Sequence, residues 1–184
     1  MTDIDELADR VKTEFGTIDA LFVNAGIAHF APFEAVTERA YDEVFAINTK
    51  GPYFTVQKLA PLMNPGSGVV LTTSVVNVVG YPRVSVYAAT KAALRLMARS
   101  LGRELLPRGV RVNAVSPGPI DTGILDRTLP PEVAAQTKSQ MATDNPMGRF
   151  GASGEIAKAV LFLAFDATFT TGAELAVDGG ASQL

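Results

Sequence analysis

Apolar positions fall into two alternating patterns along the chain, helical spacing and uninterrupted runs. Ile4, Leu7, Ala8, Val11 and Phe15 recur at the spacing of one helix face. Thr2-Asp3-Ile4-Asp5 before them reads as a capping box, and Gly16 after them as a stop. Residues 19–23, Asp-Ala-Leu-Phe-Val, do not alternate and predict a strand buried on both faces, as in a parallel sheet. Thr37 caps a long helical segment carrying Tyr41, Val44, Phe45, Val56 and Leu59, which Pro61 closes. Pro65-Gly66-Ser67-Gly68 predicts a turn, and residues 69–73 a second buried strand ending at Ser74. A helix is predicted over 84–105, broken by Pro107-Arg108-Gly109, and a third strand over 110–116. From 119 to 151 the periodicity dissolves into Pro, Gly, Thr and short helical pieces, the pattern of a functional loop. Ser153 is expected to cap a last helix bearing Ile156, Ala159, Val160 and Leu163, and residues 174–177 to form a short final strand. Helices alternating with buried strands predict one α/β domain over 1–184, built on a parallel sheet with right-handed crossovers.

Composition narrows the chemistry. Apolar residues make up 47% of 184 and charged residues 19%, so the chain is rich in core material. The formal net charge is −3 with no basic stripe, which argues against nucleic acid or an anionic membrane as partner. There is no cysteine, which removes disulfides, thiolate catalysis and thiolate metal sites. The one histidine, His29, excludes a His-rich metal centre and reads as a solvent-facing or capping imidazole, and no metal site is expected. The acidic N-terminus does not resemble a signal peptide, and no apolar run reaches the ~18 residues that span a bilayer. A soluble, cytoplasmic protein is expected.

Three strands are predicted to end at Asn24-Ala25-Gly26, at Ser74 and at Pro117-Gly118. In an open parallel sheet the carboxyl ends of the strands form the ligand crevice, so these residues converge at one rim. Tyr87 and Lys91 stand four positions apart in the helix over 84–105, on one face and about 6 Å apart along its axis. A free phenol titrates near ~10, too high for efficient proton exchange at neutral pH, and an ammonium ~5 Å away would lower it by roughly two pH units. Taken alone, Tyr87 and Lys91 read either as a tuned acid/base pair or as an ordinary pair on a helix surface, a spacing that occurs by chance on many helices.

Taken in order, Asn24-Ala25-Gly26, Asn48, Ser74, Tyr87-xxx-Lys91, Pro117-Gly118 and Val177-Asp178-Gly179-Gly180 resemble the short-chain dehydrogenase/reductase family over essentially the whole chain. Ser74 precedes Tyr87 by 13 residues, the family's usual separation, and Pro146-Met147-Gly148-Arg149-Phe150-Gly151 followed by Glu155 resembles its closing region. The resemblance implies a Rossmann-like, doubly wound parallel sheet and interconversion of a carbonyl and an alcohol by hydride transfer with NAD or NADP. It implies that Tyr87 is the proton donor in reduction and acceptor in oxidation. Ser74 would orient the substrate oxygen, while Lys91 would depress the Tyr87 pKa and hold the nicotinamide ribose. Asn48 would anchor a proton-relay water, Thr122 would contact the carboxamide or pyrophosphate, and Asn24, Ala25, Gly26, Pro117 and Gly118 would border the cofactor. Residues 76–83 and the variable loop 119–150 would line the substrate pocket, with Val76, Val79, Tyr81, Ile124, Leu125 and Met147 as an apolar wall.

The sequence departs from the family in one respect. The glycine-rich first turn of the family's N-terminal βαβαβ half, which holds the pyrophosphate at a helix N-terminus, has no counterpart, and Gly148, Gly151 and Gly154 do not make GxGxxG. The chain reads as N-terminally truncated relative to the family, with weak dinucleotide binding expected. Two functions follow: an NAD(P)-dependent oxidoreductase, or a non-catalytic remnant that serves at most in assembly. A homodimer or homotetramer is expected, built on the helices containing residues 45–59 and 84–105, which are apolar on more than one stripe.

Overall fold

A computed structural model describes residues 1–184, Thr128 by its backbone alone. Its centre is a four-stranded parallel sheet, β1 (Ile18–Val23), β2 (Met63–Thr72), β3 (Arg111–Pro117) and β6 (Glu174–Val177), in the order β1-β2-β3-β6. The helices α1 (Thr2–Phe15), α2 (Glu38–Phe45), α3 (Gly51–Leu59), α4 (Ser85–Leu105), α5 (Ile124–Thr128), α6 (Pro131–Asp144) and α7 (Ser153–Leu161) complete it, with a second two-stranded parallel pair, β4 (Ile120–Asp121) and β5 (Gly151–Ala152). The expected parallel α/β sheet is thus present.

The uninterrupted apolar runs are explained by helices on both faces of the sheet. Val69, Leu71, Val112 and Ala114 point to one face and pack with Val56 of α3 and Leu94, Ala98 and Leu101 of α4. Val70 and Val115 point to the other and pack with Val160 of α7 and with Leu163, Ala164 and Ala167 beyond it. With successive side chains alternating faces, a strand covered on both sides has no position left for a polar residue facing water.

Several local expectations are corrected. Thr2 does not cap α1: it is the first helical residue, and the cap position is Met1, which has no side-chain acceptor. Gly16 does end the helix, at φ 74°, with its N–H donating to the Lys12 carbonyl. The turn at 65–68 is not a strand boundary but an irregularity within β2, where the register with β1 jumps from Ile18 opposite Met63 to Ala20 opposite Gly68. Ser153 is not a cap either; Ala152 holds that position, and the Glu155 carboxylate accepts its N–H at 2.8 Å. The loop over 119–150 holds a 14-residue helix, α6. Thr37 caps α2 as expected, accepting from the Ala40 N–H at 3.2 Å. The long helix it opens is divided by a π turn, Ala46–Lys50, between α2 and α3. Such a turn inserts a residue and rotates the side chains that follow, and here it carries Asn48 into the interior. Among the described residues no helix is long and apolar enough to cross a membrane.

Candidate active site

The carboxyl ends of β1, β2 and β3 set the site. β2 ends at Thr72, and Ser74 follows as the cap of a short 3₁₀ turn, Val75–Asn77, accepting from the Val76 N–H at 3.4 Å. The first turns of α4 bring Tyr87 alongside, with the Ser74 hydroxyl close enough to its phenol to favour the phenolate. One turn on, Lys91 is 4% exposed, with Nζ 5.6 Å from the centroid of the Tyr87 ring and 2.8 Å from the Thr72 carbonyl, to which it donates. Ser74, Tyr87 and Lys91 therefore form one continuous group.

Asn48, fully buried in the π turn, ties this group to the end of β1. Its Oδ1 accepts the Ile27 N–H and its Nδ2 donates to the Ile27 carbonyl, both at 2.8 Å, while the second Nδ2 proton goes to Thr90 Oγ1 at 3.2 Å. Thr90 passes its own proton to the Tyr87 carbonyl at 2.7 Å. Both amide protons of Asn48 are thus engaged within the chain, and a relay water could be held by its side chain only through the second lone pair of Oδ1. Ile27 and Thr90 are site residues that the sequence reading did not single out. The one available signal was Thr90 lying one position before Lys91.

The other expected residues are more peripheral. Asn24, Ala25 and Gly26 are exposed at the end of β1, and Asn24 Oδ1 accepts from Thr72 Oγ1 at 2.9 Å. A Cβ on Gly26 would stand 3.2 Å from Asn48 Oδ1 and 3.6 Å from Lys91 Nζ, so only a residue without a side chain leaves this approach open. Gly118 follows β3 and lies against the backbone of Asp178. Pro117 pairs with Val177, and Thr122 is exposed on the segment after β4, with its carbonyl accepting from Arg127 at 3.1 Å. His29 is exposed, and among the described residues no group of three His, Cys, Asp or Glu could hold a metal.

Electrostatics differ from the sequence expectation in one respect. Burial pushes the Tyr87 phenol above its ordinary value, and the Ser74 hydrogen bond only partly opposes it. Lys91 was expected to lower that phenol. Its Nζ instead reaches past the ring to the Thr72 carbonyl, and burial brings the lysine itself down to about 8. Desolvation is the largest cause of the shift in both groups.

The group suits the ribose end of a dinucleotide. An ammonium carries three protons, and the Thr72 carbonyl takes one, leaving two for ligand hydroxyls beside the open backbone at Gly26.

Comparison with known proteins agrees with the geometry. Residues 1–182 match the family model described as Enoyl-(Acyl carrier protein) reductase. The chain is 38% identical to an oxidoreductase, asL5, of Sarocladium schorii, covering 100% of this chain and 74% of that protein. It is 37% identical to the 3-oxoacyl-[acyl-carrier-protein] reductase FabG of Thermotoga maritima, over 96% of this chain and 71% of the relative. Among solved structures, the aldohexose dehydrogenase of Thermoplasma acidophilum superposes with a TM-score of 0.92 at 29% identity, covering 97% of this chain and 73% of that one. A short-chain dehydrogenase/reductase from Serratia marcescens does so with a TM-score of 0.87 at 30% identity, over 97% and 71% respectively. By family model, by sequence and by fold, the chain belongs to the short-chain dehydrogenase/reductase family of oxidoreductases.

Proposed function

We propose that Ser74, Tyr87 and Lys91 interconvert a carbonyl and an alcohol, with NAD or NADP as the partner dinucleotide. The observation that carries this reading is the convergence at one strand end of the Tyr87 phenol, the Ser74 hydroxyl beside it and the buried Lys91 ammonium, 5.6 Å from the ring and bonded to the Thr72 carbonyl. When bound, the nicotinamide supplies or takes the hydride. In reduction, Ser74 donates a hydrogen bond to the substrate oxygen, and Tyr87 gives that oxygen its proton as negative charge develops there. Lys91, anchored on the Thr72 carbonyl, would hold the ribose hydroxyls with its remaining protons. In oxidation the phenolate takes the proton back. Asn48 keeps Ile27 and Thr90 in place around the pair. Gly26 would leave room for the ribose, and Asn24, Ala25, Pro117, Gly118 and Thr122 would border the dinucleotide. Tyr81, Ile124 and Met147, exposed on the segments 76–83 and 119–150, offer apolar surface to the carbon skeleton of the substrate.

The test is turnover of a panel of ketones and 3-oxoacyl thioesters with NADH and NADPH, followed by nicotinamide absorbance, in the 184-residue chain and in Tyr87→Phe. Loss of turnover with dinucleotide affinity unchanged is expected, because the hydroxyl acts on the transition state. Activity of the variant within about threefold of the parent refutes the assignment. A chain serving assembly alone would associate yet show no Tyr87-dependent turnover, and the same assay separates the two.

A further inference from the structure

Glu174, the first residue of β6, reaches past β3 to Thr73, just before Ser74, and to Asn77, the last residue of the turn that Ser74 caps. Its Oε1 accepts from Thr73 Oγ1 at 2.5 Å and from Asn77 Nδ2 at 2.7 Å. Asn77 in turn grips the Ser74 carbonyl twice, through Nδ2 at 2.7 Å and through its backbone N–H at 2.9 Å. On the other side, the Thr73 N–H donates to the Val115 carbonyl at 2.9 Å, and its hydroxyl lies 3.0 Å from the same oxygen. Ser74 is held between these anchors in an extended conformation, φ −172° and ψ 155°. The second carboxylate oxygen of Glu174 pairs with Arg95 Nε at 3.0 Å, one helical turn beyond Lys91, and Arg95 Nη1 reaches Asn77 Oδ1 at 3.4 Å.

The Glu174 side chain is only 12% exposed. Withdrawing a carboxylate from water is costly unless it is paired and hydrogen-bonded. A strand start does not require one, since the backbone of Glu174 is already in register opposite Ala114. What the carboxylate adds is a single oxygen that joins residues 73 and 77 and so fixes the backbone between them. We infer that Glu174 is a positioning residue for Ser74, its Oε1 acting through Thr73 and Asn77 to hold the serine hydroxyl against the Tyr87 phenol. This rests on the roles proposed above for Ser74 and Tyr87.

The division of labour between the two carboxylate oxygens makes the inference testable. In Glu174→Gln the amide oxygen can still accept from both Thr73 and Asn77, whereas the pairing with Arg95 is lost. In Glu174→Ala both are lost. Tyrosine labelled with carbon-13 at Cζ reports the hydrogen bonding of the phenol at neutral pH in the whole chain, without any need for turnover. Ser74→Ala is expected to shift the Tyr87 resonance. Glu174→Ala should shift it in the same direction, and the double variant should move it no further than Ser74→Ala alone, the non-additivity of groups acting in series. Glu174→Gln should leave it in place. With a substrate that turns over, Glu174→Ala should lower kcat by about tenfold or more with the dinucleotide KM unchanged, and Glu174→Gln should restore it.

An unmoved Tyr87 resonance in Glu174→Ala, or a Gln variant that behaves like the Ala variant, overturns the inference and leaves the carboxylate as an ion-pair partner of Arg95. Should Glu174→Ala not fold, Asn77→Ala removes the side-chain link between Glu174 and the Ser74 carbonyl while keeping the Thr73 bond and the backbone N–H to Ser74. That variant must then move the Tyr87 resonance for the inference to stand. Positioning seen by resonance without turnover on any substrate would leave the inference intact and reject the proposed activity.

Discussion

Lys91 sits at the centre of the site at a cost to the fold, and Lys91→Met should expose that cost. The side chain is 4% exposed, its ammonium has the Thr72 carbonyl as hydrogen-bond acceptor at 2.8 Å, and burial brings it from 10.5 to about 8. At ~1.4 kcal/mol per pH unit, that gap equals ~3 kcal/mol of destabilisation at pH 7, where lysine is charged in both the folded and the unfolded chain. Methionine fills similar volume without charge. It leaves the Thr72 carbonyl without the ammonium, which gives back ~1–2 kcal/mol. The variant is therefore expected to be more stable than the parent by ~1–2 kcal/mol at pH 7, and inactive. The sign follows from proton counting. Between about 8 and 10.5 the unfolded chain holds a proton on Lys91 that the folded chain has released, so the parent gains stability as pH rises through this window, and methionine cannot. Urea unfolding of both proteins at pH 7 and at pH 10 should show the advantage of the variant shrinking by ~2 kcal/mol or more. A difference independent of pH would refute the claim that a buried, charged lysine occupies the site.

Three further outcomes are expected. In Gly118→Ala the new Cβ would lie 2.7 Å from Asp178 Cα and 2.8 Å from its carbonyl oxygen, so the ends of β3 and β6 must separate. A loss of ~1–3 kcal/mol in urea unfolding is expected, and unchanged stability would show that the strand ends yield freely. Buried Arg111 donates to the carbonyls of Leu163, Ala164 and Ala167 at 2.7, 2.5 and 3.0 Å, so Arg111→Ala orphans the end of the helical segment after α7 and should cost ~3 kcal/mol or more, read by calorimetry. We also propose self-association through α3 and α4, where Phe45, Tyr53, Leu96 and Met97 line adjoining shallow clefts. Leu96→Lys, an exposed position on α4, should shift the light-scattering mass toward the monomer, and a monomeric parent at micromolar concentration would remove the proposal.

The parts of the molecule that could be read from sequence are those with a local physical signature. The runs over 69–73 and 110–116 are apolar without alternation because helices cover both faces, so that Val69 and Leu71 are buried on one side and Val70 on the other. Tyr87 and Lys91 share a face by helical periodicity alone. The π turn at Ala46–Lys50 leaves no such mark, since one inserted residue shifts the phase of a helix without altering its composition. Asn48 lying between Val44 and Val56 was the only hint that a polar group had to enter the core. α6 was missed because its apolar residues do not gather into a stripe, which leaves a helical segment without periodicity. The Glu174–Asn77 contact joins residues 97 positions apart, and no spacing rule reaches that far.

Charge is what the sequence pattern conveys least. Helical spacing treats Tyr87 and Lys91 as two groups interacting through a shared dielectric, which predicts a lowered phenol. The fold adds desolvation, which acts on each group separately and favours the neutral form of both. The phenol is held above its ordinary value and so carries its proton at neutral pH, and the lysine at about 8 releases its own more readily than a free one. In the role proposed for it in reduction, Tyr87 must give up its proton, which burial disfavours. Oxidation requires the phenolate, which must form against the same burial, with the Ser74 hydrogen bond in its favour. The resting electrostatics of the site therefore hold the proton on Tyr87, and its transfer in either direction demands added positive charge or added hydrogen bonds around the phenol oxygen.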